Sequence, residues 1–87
     1  GACLLDWPSL SKKFQKLRSG ERKKFEKRVE IFMRNVSAPA LNDHALHGKL
    51  FRYRSINITG DLRVLYEYTQ KDTVLFIDID THSNLYA

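Results

Sequence analysis

The two halves of the chain follow different hydrophobic periods. In the first half Leu10, Phe14 and Leu17 recur at i, i+4 and i+7, which is one face of a short helix opening after Trp7-Pro8. Ser19-Gly20 interrupts the pattern, with Gly20 suited to closing that helix and Ser19 to capping the next. Phe25, Val29, Phe32 and Val36 then repeat at i, i+4, i+7 and i+11, a second amphipathic helix ending near Asn35. The short break predicts an antiparallel helical hairpin.

The second half alternates. Residues 37–48 hold Ser37, Pro39, Asn42, Asp43 and Gly48 and read as a loop. Leu50 to Ile58 reads as extended, and Thr59-Gly60-Asp61 as a turn. Leu62, Val64, Tyr66 and Tyr68 then alternate with Arg63, Leu65 and Glu67. After a turn at Gln70-Lys71-Asp72, Thr73 to Ile79 places Leu75, Ile77 and Ile79 on one face. Ala2 to Asp6 adds a short first strand. The order β-α-α-β-β-β predicts an α+β domain: a helical hairpin packed on one face of a small antiparallel sheet. The other face is expected to be wet and to carry Arg63, Asp78 and Arg54.

Composition narrows the class. The chain has 87 residues, 43% hydrophobic and 29% charged, which fits one globular domain over 1–87 and not a disordered chain. No apolar stretch approaches the roughly 20 residues that span a membrane, and no secretion signal is read at the start. Cys3 is the single cysteine, so neither an internal disulfide nor a thiolate zinc site is available, and a reducing, cytoplasmic setting is expected.

Charge adds a partner class. The net charge is +5, and it is concentrated. Nine basic residues lie between Lys12 and Arg28, including Lys23, Lys24 and Lys27, against Glu21 and Glu26. Such a block favours a polyanion through counterion release, although a solvated helix face has the same composition.

The chemistry-bearing residues cluster late: His44 and His47 in the loop, then Arg52, Arg54, Asn57, Asp61 and Arg63, then His82 and Tyr86. Histidine transfers protons near neutrality, arginine holds a phosphate and its growing charge, and a tyrosine stacks on a base. The set fits RNA cleavage without a metal or other cofactor. A base activates the ribose 2′-hydroxyl, arginines hold the phosphate, and an acid protonates the leaving 5′-oxygen. Each residue also has a plainer reading. His44 fits a structural loop histidine, Arg63 an ion pair with Asp78, and Tyr86 a C-terminal core anchor. Asp43, His44 and His47 lack the further ligand and the fixed geometry that a metal site needs.

Three segments carry a family resemblance: Leu41-Asn-Asp-His44-Ala-Leu46-His-Gly48, Tyr53-Arg-Ser-Ile56-Asn-Ile58-Thr-Gly60-Asp61-Leu-Arg63-Val-Leu-Tyr66, and Ile79-Asp-Thr81-His82-Ser-Asn-Leu85-Tyr86. They resemble the RelE/ParE toxin superfamily and are most similar to its YafQ and YoeB branches. The likeness is specific over residues 41–87, while the helical half agrees only in pattern. It implies a RelE-like fold and a messenger-RNA interferase that acts in the ribosomal A site and is neutralised by a cognate antitoxin. It implies His44, Asp61, Arg63 and His82 as catalytic residues, with Arg54, Asn57 and Tyr86 on the RNA. In that mechanism His82 acts as general acid and His44 as general base, an assignment that can be exchanged, while Arg54 and Arg63 hold the phosphate, Asp61 orients His44 or an arginine, and Tyr86 positions a base. Lys23, Lys24 and Lys27 are expected on ribosomal RNA. One departure stands out: Asn57 occupies a position where YafQ members have a histidine, and an amide is no general acid or base. The rivals are a ParE-like, non-enzymatic gyrase poison and an RNA-binding module that does not cleave.

Overall fold

The computed structural model describes residues 2–5, 7–70 and 73–85. Strand β1 (Ala2–Leu5) leads into α1 (Trp7–Lys16) and α2 (Ser19–Arg34). Pro8 takes the second position of α1, in the first turn, where a missing N–H costs nothing. The interruption lies at Leu17-Arg18, two residues earlier than the sequence pattern suggests. Ser19 and Gly20 are the first two residues of α2. Glu21 decides this start, because its carboxylate accepts the backbone N–H of Arg18 at 2.9 Å. The end of α2 falls where expected, with the Asn35 N–H donating to the Ile31 carbonyl at 2.8 Å.

The loop after α2 is more structured than its composition implies. It holds a 3-10 turn (Pro39–Leu41), strand β2 (His44–Ala45) and a second 3-10 turn (Gly48–Leu50). The extended stretch expected from Leu50 to Ile58 is therefore shorter, and β3 covers Arg54–Asn57. Strands β4 (Leu62–Gln70) and β5 (Thr73–Thr81) follow, and α3 (His82–Leu85) closes the described chain.

The sheet order is β1-β5-β4-β3-β2. Strands β2 to β5 form antiparallel ladders, giving the expected α+β fold, and β1 adds a parallel edge against the first half of β5. The core lies between the sheet and α1–α2. Leu10, Phe25 and Phe32 meet Ile56, Val64, Tyr66, Val74, Phe76 and Ile79, all buried. Phe32 packs edge-on to Tyr66 at 4.9 Å between ring centroids and lies 5.5 Å from Phe76. Val36, placed on the helical stripe by its spacing, falls beyond α2 and is exposed.

The inward face of β5 departs from simple alternation. Val74, Phe76 and Ile79 are buried, whereas Leu75 and Ile77 are only half-buried. The ladder explains why: Leu65 pairs with Asp78 but Tyr66 pairs with Phe76, so Ile77 is an extra residue. This bulge reverses the alternation for the residues after it. Asp78 and Asp80 thereby share a face with Arg63 and not with the core.

Candidate active site

Register defines what the open face of the sheet carries. Asn57 on β3 stands across from Arg63 on β4, which stands across from Asp80 on β5. The next row holds His44, Ser55, Leu65 and Asp78. Directly opposed residues point to the same side, so His44, Asn57 and Arg63 lie on one face, opposite the helices. His44 is thus on a strand and not in a loop. Leu46, Leu65 and Ser55 are buried outside the main core cluster, which gives the middle of this face a closed floor.

The turn at residues 58–61 brings Asp61 to the same end. The Thr59 hydroxyl accepts the N–H groups of Asp61 at 3.3 Å and Leu62 at 3.0 Å. The Asp61 carbonyl in turn accepts the backbone N–H of His82 at 2.8 Å, which extends the β4–β5 ladder by one step. Thr81 caps α3, its hydroxyl accepting the Asn84 N–H at 3.2 Å. His82 is therefore held at its backbone while its side chain is exposed.

The ring of His44 has a defined orientation. Its Nδ1 lies 2.7 Å from the carbonyl of Asn42. A carbonyl can only accept, so Nδ1 carries the proton and Nε2 is the basic nitrogen of the neutral ring. The local backbone is special here too, since Asn42 has φ 46, a left-handed conformation that asparagine tolerates better than most residues.

Arg63 is half-buried, and its Nη1 donates to the carbonyls of Thr59 at 2.9 Å and Leu62 at 3.2 Å. The ion pair with Asp78 read from the sequence does not form. Asp78 lies across from Leu65, and among the described residues Arg63 takes part in no ion pair. Asn57 is half-buried, and its Oδ1 is enclosed without a hydrogen-bond partner among the described residues.

Arg54 departs most from expectation. It pairs in register with Tyr66, a core residue, and so lies on the helix-bearing face, away from Arg63. Its Nε donates to Asp43 Oδ1 at 3.1 Å, and the Tyr66 hydroxyl donates to the same oxygen at 2.7 Å. Burial pushes the Tyr66 phenol up, and the neighbouring Asp43 carboxylate pushes it further, so it remains a donor. Burial acts to lower Arg54, but its bonds to Tyr66 and Asp43 outweigh this and raise it. An open cleft of about 470 Å³ lies beside this pair, between Arg54 and the Val36–Pro39 segment, and is separate from the row of His44, Asn57 and Arg63.

A second charged cluster escaped the sequence reading. Lys13 of α1 donates to Asp78 Oδ1 at 2.7 Å and to Asp80 Oδ2 at 3.0 Å. Asp80 Oδ1 accepts Asn84 Nδ2 and the Thr81 N–H, each at 2.8 Å. Burial alone would raise Asp80, yet the bonds from Asn84, Lys13 and Thr81 hold it below the usual carboxylate range. Lys13 is raised, its bonds to the two aspartates outweighing partial burial. No sequence signal joins residues 13 and 80, whereas the pairing of Asp43 with Tyr66 was hidden because alternation marked Tyr66 only as core.

Lys23, Lys24 and Lys27 are exposed on α2, and His47 is exposed after β2. Tyr86 lies outside the described residues. Among the described residues no three His, Cys, Asp or Glu side chains come together to hold a metal ion, and no helix is long and apolar enough to cross a membrane.

The sequence matches, over residues 8–87, the family described as bacterial toxin of type II toxin–antitoxin system, YafQ. The fold is similar to that of YafQ from E. coli strain BL21(DE3), with a TM-score of 0.77 and 19% identity over 98% of this chain and 97% of that one. It is also similar to a YoeB/ParE toxin from Agrobacterium tumefaciens, with a TM-score of 0.75 and 17% identity over 94% and 99%. The E. coli DinJ-YafQ toxin-antitoxin complex contains a chain with a TM-score of 0.69 and 22% identity over 98% and 96%. No curated protein sequence matched the chain.

Proposed function

The chain belongs to the YafQ family of bacterial type II toxins, and on that premise we propose that it is a ribosome-dependent endoribonuclease that cleaves messenger RNA and stops translation. The observation that carries this reading is the common face of His44, Asn57 and Arg63, with Asp61 and His82 at its end. His44 Nε2 takes the proton of a ribose 2′-hydroxyl. The 2′-oxygen attacks the adjacent phosphorus as the bond to the 5′-oxygen breaks. Arg63 stabilises the charge that grows on the phosphate, and His82 protonates the departing 5′-oxygen. The products are a 2′,3′-cyclic phosphate and a 5′-hydroxyl, and no metal is required. Asn57 contacts the RNA between His44 and Arg63. Asp61 positions His82 through the turn, and Tyr86 stacks on a base. Arg54 is left out of the phosphate clamp, because it lies on the other face.

The two proton-transfer groups are sparse, His44 on β2 and His82 at the start of α3 beyond β5, with β3 and β4 between those strands, so alignment of the message is assigned to the ribosome. Lys23, Lys24 and Lys27 dock on ribosomal RNA, and the partner in the resting cell is a cognate antitoxin, a reading supported by the similar fold in the DinJ-YafQ toxin-antitoxin complex. The net charge of +5 calls for an acidic toxin-binding segment. The setting is cytoplasmic and residues 1–87 act as one domain. The test is primer extension on a message under translation beside the same RNA naked, with EDTA and with a 2′-deoxy substitution at the cut. Cleavage within codons that needs the ribosome and the 2′-hydroxyl, and survives EDTA, is expected. Arrest of DNA replication before protein synthesis would favour the gyrase-poison reading instead.

A further inference from the structure

Arg63 and Asp80 stand directly opposite each other on neighbouring antiparallel strands. Opposite charges so placed are within reach and ordinarily pair. Here they do not. Both oxygens of Asp80 are already engaged, Oδ2 by Lys13 at 3.0 Å and Oδ1 by Asn84 and Thr81 at 2.8 Å. Arg63 turns instead to two neutral carbonyls, those of Thr59 and Leu62. Those carbonyls fix the guanidinium without cancelling its charge.

The origin of Lys13 matters. Strand β1 pairs only with Thr73 to Phe76 of β5, so it ends before Asp78 and Asp80. Helix α1 lies along β5, and its lysine meets both aspartates there. Without that ammonium two carboxylates two residues apart would sit on the phosphate-facing side of the sheet, one of them opposite Arg63.

We propose that Lys13 is a positioning residue: by pairing with the Asp80 carboxylate in place of Arg63 it keeps Arg63 in its carbonyl-bound pose and leaves the guanidinium charge available to an RNA phosphate. The proposal rests on the reading of the open face as a phosphate-binding face. It gives a lysine of the first helix a role in the chemistry of the third and fourth antiparallel strands without any contact with the reacting atoms.

The test is a set of full-length variants: Lys13→Met, which keeps the apolar stem, alone and combined with Asp80→Asn or Asp78→Asn. Each is checked for folding by circular dichroism. The first readout is the NMR signal of the Arg63 Nε–H. It should shift in Lys13→Met and return in Lys13→Met/Asp80→Asn. The second is binding of an uncleavable 2′-deoxy-substituted RNA oligonucleotide as a function of salt. Lys13→Met should bind about tenfold more weakly, as expected for loss of one charge-assisted contact, with a shallower salt slope. Asp80→Asn should restore both, and Asp78→Asn should restore neither, because Asp78 faces Leu65. An unmoved Arg63 signal, or equal rescue by the two aspartate variants, overturns the proposal, the latter by reducing the effect to net charge. A wild-type protein that neither binds nor cuts RNA overturns the functional reading, and the Arg63 signal still decides the Lys13 arrangement.

Discussion

The backbone N–H of His82 donates to the carbonyl of Asp61 at 2.8 Å, across a gap of 21 residues in the sequence. The bond carries the β4–β5 ladder one step past its last paired residues, Leu62 and Thr81. It joins a turn and a short helix that would otherwise vary independently, so the candidate acid sits where the sheet puts it. The side chain of His82 remains exposed, able to reach a bound substrate.

From this arrangement His82→Ala and Arg63→Ala should each lower cleavage by about 100-fold or more, the scale of a lost proton-transfer group or charge stabiliser. The fold should be retained, since neither side chain belongs to the core. Growth after induction and circular dichroism of the purified variants check both halves of the expectation. A folded variant that remained fully toxic would remove that residue from the mechanism.

The Asp43 anchor predicts a different signature. Tyr66→Phe should cost about 1.5–3 kcal/mol, the range for a hydrogen bond to a charged group, while Arg54 still holds the Asp43 oxygen. Asp43→Ala should cost at least as much, because it strips the Tyr66 hydroxyl and Arg54 together. Urea unfolding measures the stability, and the 15N shifts of the His44 ring report whether the neighbouring residue has loosened. Arg54→Ala should affect stability and His44 before it affects RNA affinity. A pure loss of RNA binding would return Arg54 to the phosphate.

Lys13 and Asp80 together set a pH window for stability. The folded-state pKa of Asp80 is depressed below its ordinary 3.8, so its contribution is present above that value and is lost as pH falls through the folded pKa. Lys13 is raised above its ordinary 10.5, so its contribution is present below that value and is lost as pH rises through the folded pKa. Thermal melts across pH should therefore show a plateau with an acid and an alkaline shoulder. Lys13→Met should remove the alkaline shoulder and weaken the acid one. Identical profiles for the two proteins would contradict the assignment.

Charge reversal at Lys23, Lys24 and Lys27 should weaken ribosome association and reduce its salt dependence, each lost phosphate contact lowering the slope. These side chains are exposed and stand on the helix opposite the site, so the fold and the pose of Arg63 should not change. Sedimentation with ribosomes at several salt concentrations is the measurement, and undiminished binding by the triple variant would place the docking surface elsewhere.

By itself the sequence determined the α+β order, most of the core and the identity of the candidate chemistry. The 3.6-residue period of Phe25, Val29 and Phe32 and the alternation of Leu62, Val64 and Tyr66 are local consequences of which side of an element must be dry, and they survive folding unchanged. Tertiary structure decided what local period cannot encode. The bulge at Ile77 turned Val74 and Phe76 into the core in place of Leu75 and Ile77 while leaving Asp78 on the face of Arg63, because one extra residue reverses the alternation between the positions before it and those after. Cross-strand register sent Arg54 to the helix-bearing face with Tyr66, and kept Arg63 on the other. The bonds from Lys13 to Asp80 and from Tyr66 to Asp43 join residues 67 and 23 positions apart. Such pairs form only after the sheet has closed under the helices, so the charge left available on the open face is a property of the packed chain.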